Sequence, residues 1–281
     1  MPDNQSLSVY TVNAFTDKSF GGNPAAVVPL TVPLSDKLMQ SIAAQHNLSE
    51  TAFLEQLGPD HYRLRWFTPV NEVPLCGHAT LASAFALCHS GAWQSERLCF
   101  ETASGQLWVS RCDTTFSIDF PAVPMVKVPV SDAFERALGV NILGAYRPQE
   151  NAWQMVCEVE NEATVRACSP NFEALTAATD LGVSVTARGS TTHFVSRFFI
   201  PQMGVNEDPV TGSAHCQLSP FWGDRLGLTQ MSALQLSERG GELDCKLKGD
   251  RVVLSGRCVL FAEGRLYLPA DVEIRDALFQ P

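Results

Sequence analysis

Val73–Ala79 reads VPLCGHA, and Asp208–Ala214 reads DPVTGSA. Both have the form x-Pro-aliphatic-x-Gly-x-Ala, both follow a glutamate, and both lead into a segment with helical character. One chain builds the same small turn twice and varies the reactive positions inside it. The rest of the sequence follows from asking how far that duplication extends.

It extends through most of the chain. Asn71-Glu72-x-Pro74 matches Asn206-Glu207-x-Pro209, and Gly77-x-Ala79 matches Gly212-x-Ala214, all 135 residues apart. Arg65-Trp66-Phe67-x-Pro69 matches Arg197-Phe198-Phe199-x-Pro201 at 132, and Gly105-x-Leu107 matches Gly241-x-Leu243 at 136. Leu48-Ser49-Glu50-Thr51-Ala52 matches Val183-Ser184-Val185-Thr186-Ala187, again at 135. Common order and near-constant spacing indicate two copies of one domain rather than a short solenoid repeat. The 281 residues suffice for two cores. The copies are expected at 1–120, with 271–281 returning to it, and at 121–270. The second begins near the three prolines of PAVPMVKVPV, Pro121–Val130.

Alternation predicts strands at SVYTVNAF, TAFLEQ, YRLRWFTP, QLWVSR and TFSIDF in the first copy. Helices are expected at LSDKLMQSIAAQHN, capped by Ser35 or Asp36, and at ATLASAFALCHSGAW. The second copy repeats the plan with strands at GVSVTARG, THFVSRFFIP, LQLS, ELDCKLKG, RVVLSGR and RLYLP, and a helix at GSAHCQLSPFWGDRLG. Arg65 and Arg197 recur in both copies, which suggests a structural salt bridge in each.

Positions that differ between copies are candidates for chemistry. In this alignment Glu50 becomes Val185, Val73 becomes Asp208, Cys76 becomes Thr211 and His78 becomes Ser213. Each copy then offers one carboxylate where the other has valine, and the expectation is that Glu50 and Asp208 meet across one interdomain cleft. A glycine opening a helix lets a ligand approach free N–H groups at the positive end of the helix dipole. Gly77-His78 and Gly212-Ser213 would make two such anion-binding ends, suited to a carboxylate. Gly21–Pro24, GGNP, offers a further backbone wall. Plainer readings stand beside these: Asp208-Pro209 also looks like a helix start, Ser213 like a cap, and Cys76 like a small buried hydrophobe.

The totals exclude some classes. A net charge of −10 argues against nucleic acid or an anionic membrane surface as partner. The N-terminal MPDNQSLSVY has no signal-peptide pattern, and apolar runs stay below the roughly 18 residues of a membrane span. Nine irregularly spaced cysteines without C-x-x-C fit neither a disulfide framework nor zinc, and point to a reducing cytoplasm. His215 and Cys216 lack a partner pair at metal-ligand spacing.

The combination of NAFTDKSFGGNPAAVV, NLSETAF, RWFTPVNEVPLCGHATLASA and NEDPVTGSAH resembles the PhzF-like phenazine-biosynthesis isomerase family over nearly the whole chain. The resemblance implies an α+β fold like that of diaminopimelate epimerase: two pseudo-symmetric domains, each a curled, mostly antiparallel sheet around a central helix. It implies a cofactor-independent isomerase without metal, often a homodimer, that moves a proton on a small carboxylic acid. Glu50 matches the family's proton-transferring glutamate. His78, Asp208 and Ser213 match residues around the substrate, and Gly77 and Gly212 match the backbone that holds its carboxylate. Gly22 and Asn23 complete the expected binding set, with Cys76 and Thr211 as further candidates at the two cysteine positions of the epimerase branch. The threonine departs from that branch and argues against two-thiol racemisation. The alternatives are a thiol-based epimerase or racemase using Cys76, and a non-catalytic carboxylate-binding protein.

Overall fold

A computed structural model describes residues 6–150 and 153–268. The chain divides into two compact units: one runs to Ile118 and resumes at Arg257, and the other is Asp119–Gly256. The elements up to the first crossing are β1 (Ser6–Ala14), β2 (Asn23–Leu30), α1 (Asp36–His46), β3 (Glu50–Gly58), β4 (His61–Phe67), β5 (Glu72–Val73), α2 (Gly77–His89), β6 (Arg97–Thr102), β7 (Gly105–Cys112) and β8 (Thr115–Pro121). There follow β9 (Met125–Val128), α3 (Asp132–Leu138), β10 (Gly144–Pro148), β11 (Gln154–Glu158), α4 (Glu162–Ala167), α5 (Phe172–Ala178), β12 (Gly182–Arg188), β13 (Phe194–Ile200), β14 (Val205–Asp208), α6 (Gly212–Leu226), β15 (Gln230–Gln235), β16 (Gly241–Lys248) and β17 (Arg251–Tyr267).

In the first unit β2 and β3 run parallel, as do β4 and β6, while β1–β2, β3–β4, β4–β5, β6–β7 and β7–β8 pair antiparallel. The second unit has the same pattern, with β11–β12 and β13–β15 parallel and β10–β11, β12–β13, β13–β14, β15–β16 and β16–β17 antiparallel. The sheets are thus mostly antiparallel, with two parallel pairs each.

RVVLSGR and RLYLP belong to one strand, β17, rather than two. Its first part pairs with β16 and its second with β1. The return to the first unit therefore falls at Arg257, and the expected boundary at 270 is too late. The expected return of 271–281 lies outside the described residues.

Helix α2 is buried nearly all round, packing on β1, β2 and β3. Its alanines let strands approach closely, and a helix without a polar face belongs inside. Helix α6 is likewise mostly buried and packs on β11, β15 and β16. Pro220 inside it cannot bond the Cys216 carbonyl one turn back. The N–H of Val123 takes that carbonyl at 2.9 Å, so the break costs no orphaned acceptor. A second apolar cluster in the first unit joins Phe53 and Phe67 to Met39 and Ile42 of α1. In the second, Phe134, Val165 and Leu175 of α3–α5 cover Val183, Val185 and Phe199. Ser35, not Asp36, caps α1, accepting from the N–H of Leu38 at 3.3 Å.

The recurrent arginines form recurrent bridges. Arg65 grips Glu72 through two 2.7 Å bonds, and Arg197 grips Glu207 at 2.7 and 2.8 Å. Each guanidinium also lies over a phenylalanine ring, Phe67 or Phe199. In both units the pair ties the short strand before the repeated turn to the strand beside it.

Candidate active site

Strand register decides which residues correspond. Arg65 lies opposite Phe53, and Arg197 lies opposite Val185. Val185 therefore corresponds to Phe53, and Glu50, the first residue of β3, corresponds to Gly182, the first of β12. The expected match of Glu50 to Val185 is off by three residues. The offset arises in the 3₁₀ turn Pro201–Met203, an insertion after β13. Gly182 has no room for a side chain: an added Cβ would stand 2.5 Å from the Phe198 ring. The Val73–Asp208 match holds, because Val73 lies opposite Trp66 and Asp208 opposite Phe198.

In the first unit four expected residues converge. Glu50 Oε2 lies 3.1 Å from His78 Nε2, and the carboxylate is only 17% exposed. Nδ1 of His78 lies 3.2 Å from Nδ2 of Asn23 and 3.5 Å from Sγ of Cys76. Burial alone would push the imidazole down, but the charges on Cys76 and Glu50 and the hydrogen bonds from both raise it well above its ordinary value. Burial, then Glu50, pushes the Cys76 thiol up to about 11, so at neutral pH it is uncharged. The anion that keeps His78 protonated there is the Glu50 carboxylate. A base and an acid thus stand side by side.

The sign of the pH dependence follows. A histidine raised in the fold adds stability that is complete below its unfolded value of about 6.5 and is lost as pH rises through the folded value. His78→Gln should therefore lose most in urea midpoint, relative to the unsubstituted chain, at pH 6, with the gap narrowing as pH rises through the raised folded value. A gap that widens with pH would contradict the ion pair.

Glu50, Cys76 and His78 present ligand atoms within 4.8 Å of one another. The imidazole stands with one nitrogen at ion-pair distance from the carboxylate and the other toward the thiol.

Gly22 adopts φ +67°, and an added Cβ would fall 2.2 Å from the Ala14 carbonyl oxygen. Its glycine is required by the backbone, whatever else it does. Gly22→Ala is expected to cost about 1–3 kcal/mol by forcing a strained residue into that turn, read as a lower denaturation midpoint; an unchanged midpoint would refute the strain.

In the second unit Asp208 ends β14 and does not cap α6, because the helix begins only at Gly212, behind Thr211. The Thr211 hydroxyl donates to the Asp208 carboxylate. Ser213 is not the cap either; its Oγ accepts from Nε2 of Gln154 at 2.8 Å. Asn23 reaches His78 and Gln154 reaches Ser213, so in each unit a carboxamide supports the second residue of the buried helix. Cys76 and Thr211 occupy the N-cap positions without a side-chain cap bond. His215 is fully buried, bonds the Thr211 carbonyl through Nδ1 at 2.8 Å, and is pushed down to about 4 by burial, hence neutral. The sequence reading missed Gln154 and Gln235. The latter had a signal: it falls on the buried phase of β15, after Met231 and Ala233.

The model of the phenazine biosynthesis-like protein family matches residues 12–264. The chain belongs to that family. A Pseudomonas aeruginosa protein named as an uncharacterized isomerase is 49% identical over 265 residues, spanning 93% of this chain and 99% of that one. A PhzF-family crystal structure from Enterococcus faecalis superposes with a TM-score of 0.90 at 45% identity, covering 94% of this chain and all of the other. A probable proline racemase from Agrobacterium radiobacter shares the fold alone, with a TM-score of 0.63 at 12% identity over 94% and 93% of the two chains. The phenazine biosynthesis-like chain is therefore a PhzF-like enzyme of the isomerase class on a diaminopimelate epimerase-like α+β fold. Among the described residues, no helix is long and apolar enough to cross a membrane.

Proposed function

We propose that this isomerase moves a proton on a small carboxylic acid without a cofactor, with Glu50 as the acid/base group. The observation that carries the reading is the buried Glu50–His78 contact of 3.1 Å. A carboxylate held against an imidazolium removes a proton from carbon and has a donor at hand for its return. Asp208, hydrogen-bonded by Thr211, is the second proposed acid/base group. Gly22 and Asn23, with the helix starts at Gly77, Gly212 and Ser213, are proposed to bind the substrate, the helix N–H groups taking its carboxylate and stabilising the charge that develops. The neutral Cys76 thiol counts against a thiol mechanism. We also propose a cytoplasmic homodimer; nine free thiols suit a reducing compartment, and sedimentation would give the mass.

The test is incubation in D₂O with a panel of small amino, hydroxy and dihydroaromatic carboxylic acids, followed by proton NMR. Deuterium entering a carbon position identifies the substrate class. Binding of an acid without exchange would favour a carboxylate-binding protein and overturn the isomerase reading.

A further inference from the structure

Gln235 ends β15, is completely buried, and spends its carboxamide on one turn. Its Oε1 accepts from the Thr211 N–H at 2.9 Å, while Nε2 donates to the Asp208 carbonyl at 2.8 Å and to the Thr211 hydroxyl at 3.2 Å. These partners fix the amide's orientation, since a backbone N–H needs the oxygen and a carbonyl needs the nitrogen. Asp208 and Thr211 are the first and fourth residues of the turn, which in a closed β-turn bond each other directly. Here the carboxamide is inserted between them and holds the turn open. The Thr211 hydroxyl, receiving from Gln235, has its own proton aimed at the Asp208 carboxylate.

The duplicated fold supplies an internal control. Gln235 lies opposite Gly241, and Thr102 holds the same register opposite Gly105. Two residues on, a serine anchors the turn in both units: Ser104 Oγ donates to the Pro74 carbonyl and Ser237 Oγ to the Pro209 carbonyl, each at 2.8 Å. The turn thus shares one anchor in both units. Thr102 bonds the Gly105 carbonyl instead of the turn, at 2.7 Å. The carboxamide brace occurs in the unit whose turn carries an acid, Asp208, where the other carries Val73.

We infer that Gln235 is a positioning residue for the reaction: it sets the open turn and, through the Thr211 hydroxyl, orients the Asp208 carboxylate. The inference rests on the reading of Asp208 as an acid/base group. A hydrogen-bond chain of this kind, buried and fully engaged, orients its members cooperatively.

The test uses the full chain with Gln235→Leu, Gln235→Glu and, as control, Thr102→Val. The Gln235→Glu change keeps the acceptor for the Thr211 amide and loses the donor half, so it serves if the leucine variant folds poorly. Two readouts need no substrate: hydrogen exchange at the Thr211 amide, and the chemical shift of the Asp208 carboxyl carbon at pH 7. The leucine variant should speed Thr211 exchange at least tenfold and move the Asp208 signal, the glutamate variant should move the Asp208 signal, and Thr102→Val should do neither. On a substrate found by deuterium incorporation, both Gln235 variants should lower kcat about ten- to a hundredfold with KM within twofold, the cost of a misplaced group. An unmoved Asp208 signal in both Gln235 variants, or an unchanged kcat, overturns the inference. If the signals respond but the unsubstituted chain exchanges no carbon-bound proton, the brace stands and the isomerase reading falls.

Discussion

Glu50→Gln is expected to lower kcat by about 10²–10⁴-fold, the usual contribution of a positioned acid/base group. KM should change little, because glutamine keeps the shape of the side chain. The loss has two parts. The amide cannot take a proton from carbon, and it removes the anion facing His78 at 3.1 Å. With that anion gone, burial, the largest influence on the imidazole, favours its neutral form. Nitrogen NMR of the His78 ring should accordingly show loss of protonation at pH 7 in the variant. A kcat within threefold of the unsubstituted chain would remove Glu50 from the chemistry.

The second large effect is on stability and should differ between the units. Arg197→Met leaves Glu207, 19% exposed, without its two-bond partner, and Arg197 itself is only 15% exposed. Three carbonyls near the end of α4, those of Val165, Arg166 and Cys168, also lose the donor they share. Breaking such a largely buried pair should cost about 3 kcal/mol. The corresponding Arg65→Met exposes less imbalance, because Glu72 and Asp36 are 39% and 58% exposed and water compensates them. Its cost should be about 1 kcal/mol. Urea titration of both variants tests the ranking. Equal losses would mean that the bridges, though alike in geometry, owe nothing to their burial.

The duplicated turn was legible because its backbone needs fixed residue types, so proline, glycine and alanine survive in both copies while Cys76/Thr211 and His78/Ser213 diverge. The Arg–Glu bridges were legible for the same reason: both ends recur. The three-residue error at Glu50 came from Ser-x-Thr-Ala, a pattern that fits any buried strand and carries no register. Pairing with β4 and β13 supplies the register, and pairing is not local. Strand β17 read as two because Gly256, Arg257 and Gly264 resemble turn residues, yet the strand runs through Gly256 and Arg257 as it changes partner from β16 to β1, and Gly264 lies in its largely exposed second half. Helices α3, α4 and α5 went unread because each is short and shows little period. Their caps, Ser131, Asn161 and Asn171, were the available signs. Asp208-Pro209 looked like a helix start because the pair suits one chemically, but α6 begins after Thr211, whose hydroxyl donates to the acid.

The measurement that bears most directly on a carboxylate-driven proton transfer compares Cys76→Ala with Glu50→Gln in D₂O on the same carboxylic acid. Cys76→Ala should incorporate deuterium within a few-fold of the unsubstituted rate, because a thiol pushed up to about 11 supplies almost no thiolate at neutral pH. Glu50→Gln should incorporate almost none. Exchange that persists in Glu50→Gln and vanishes in Cys76→Ala would contradict the carboxylate mechanism and assign the chemistry to sulfur.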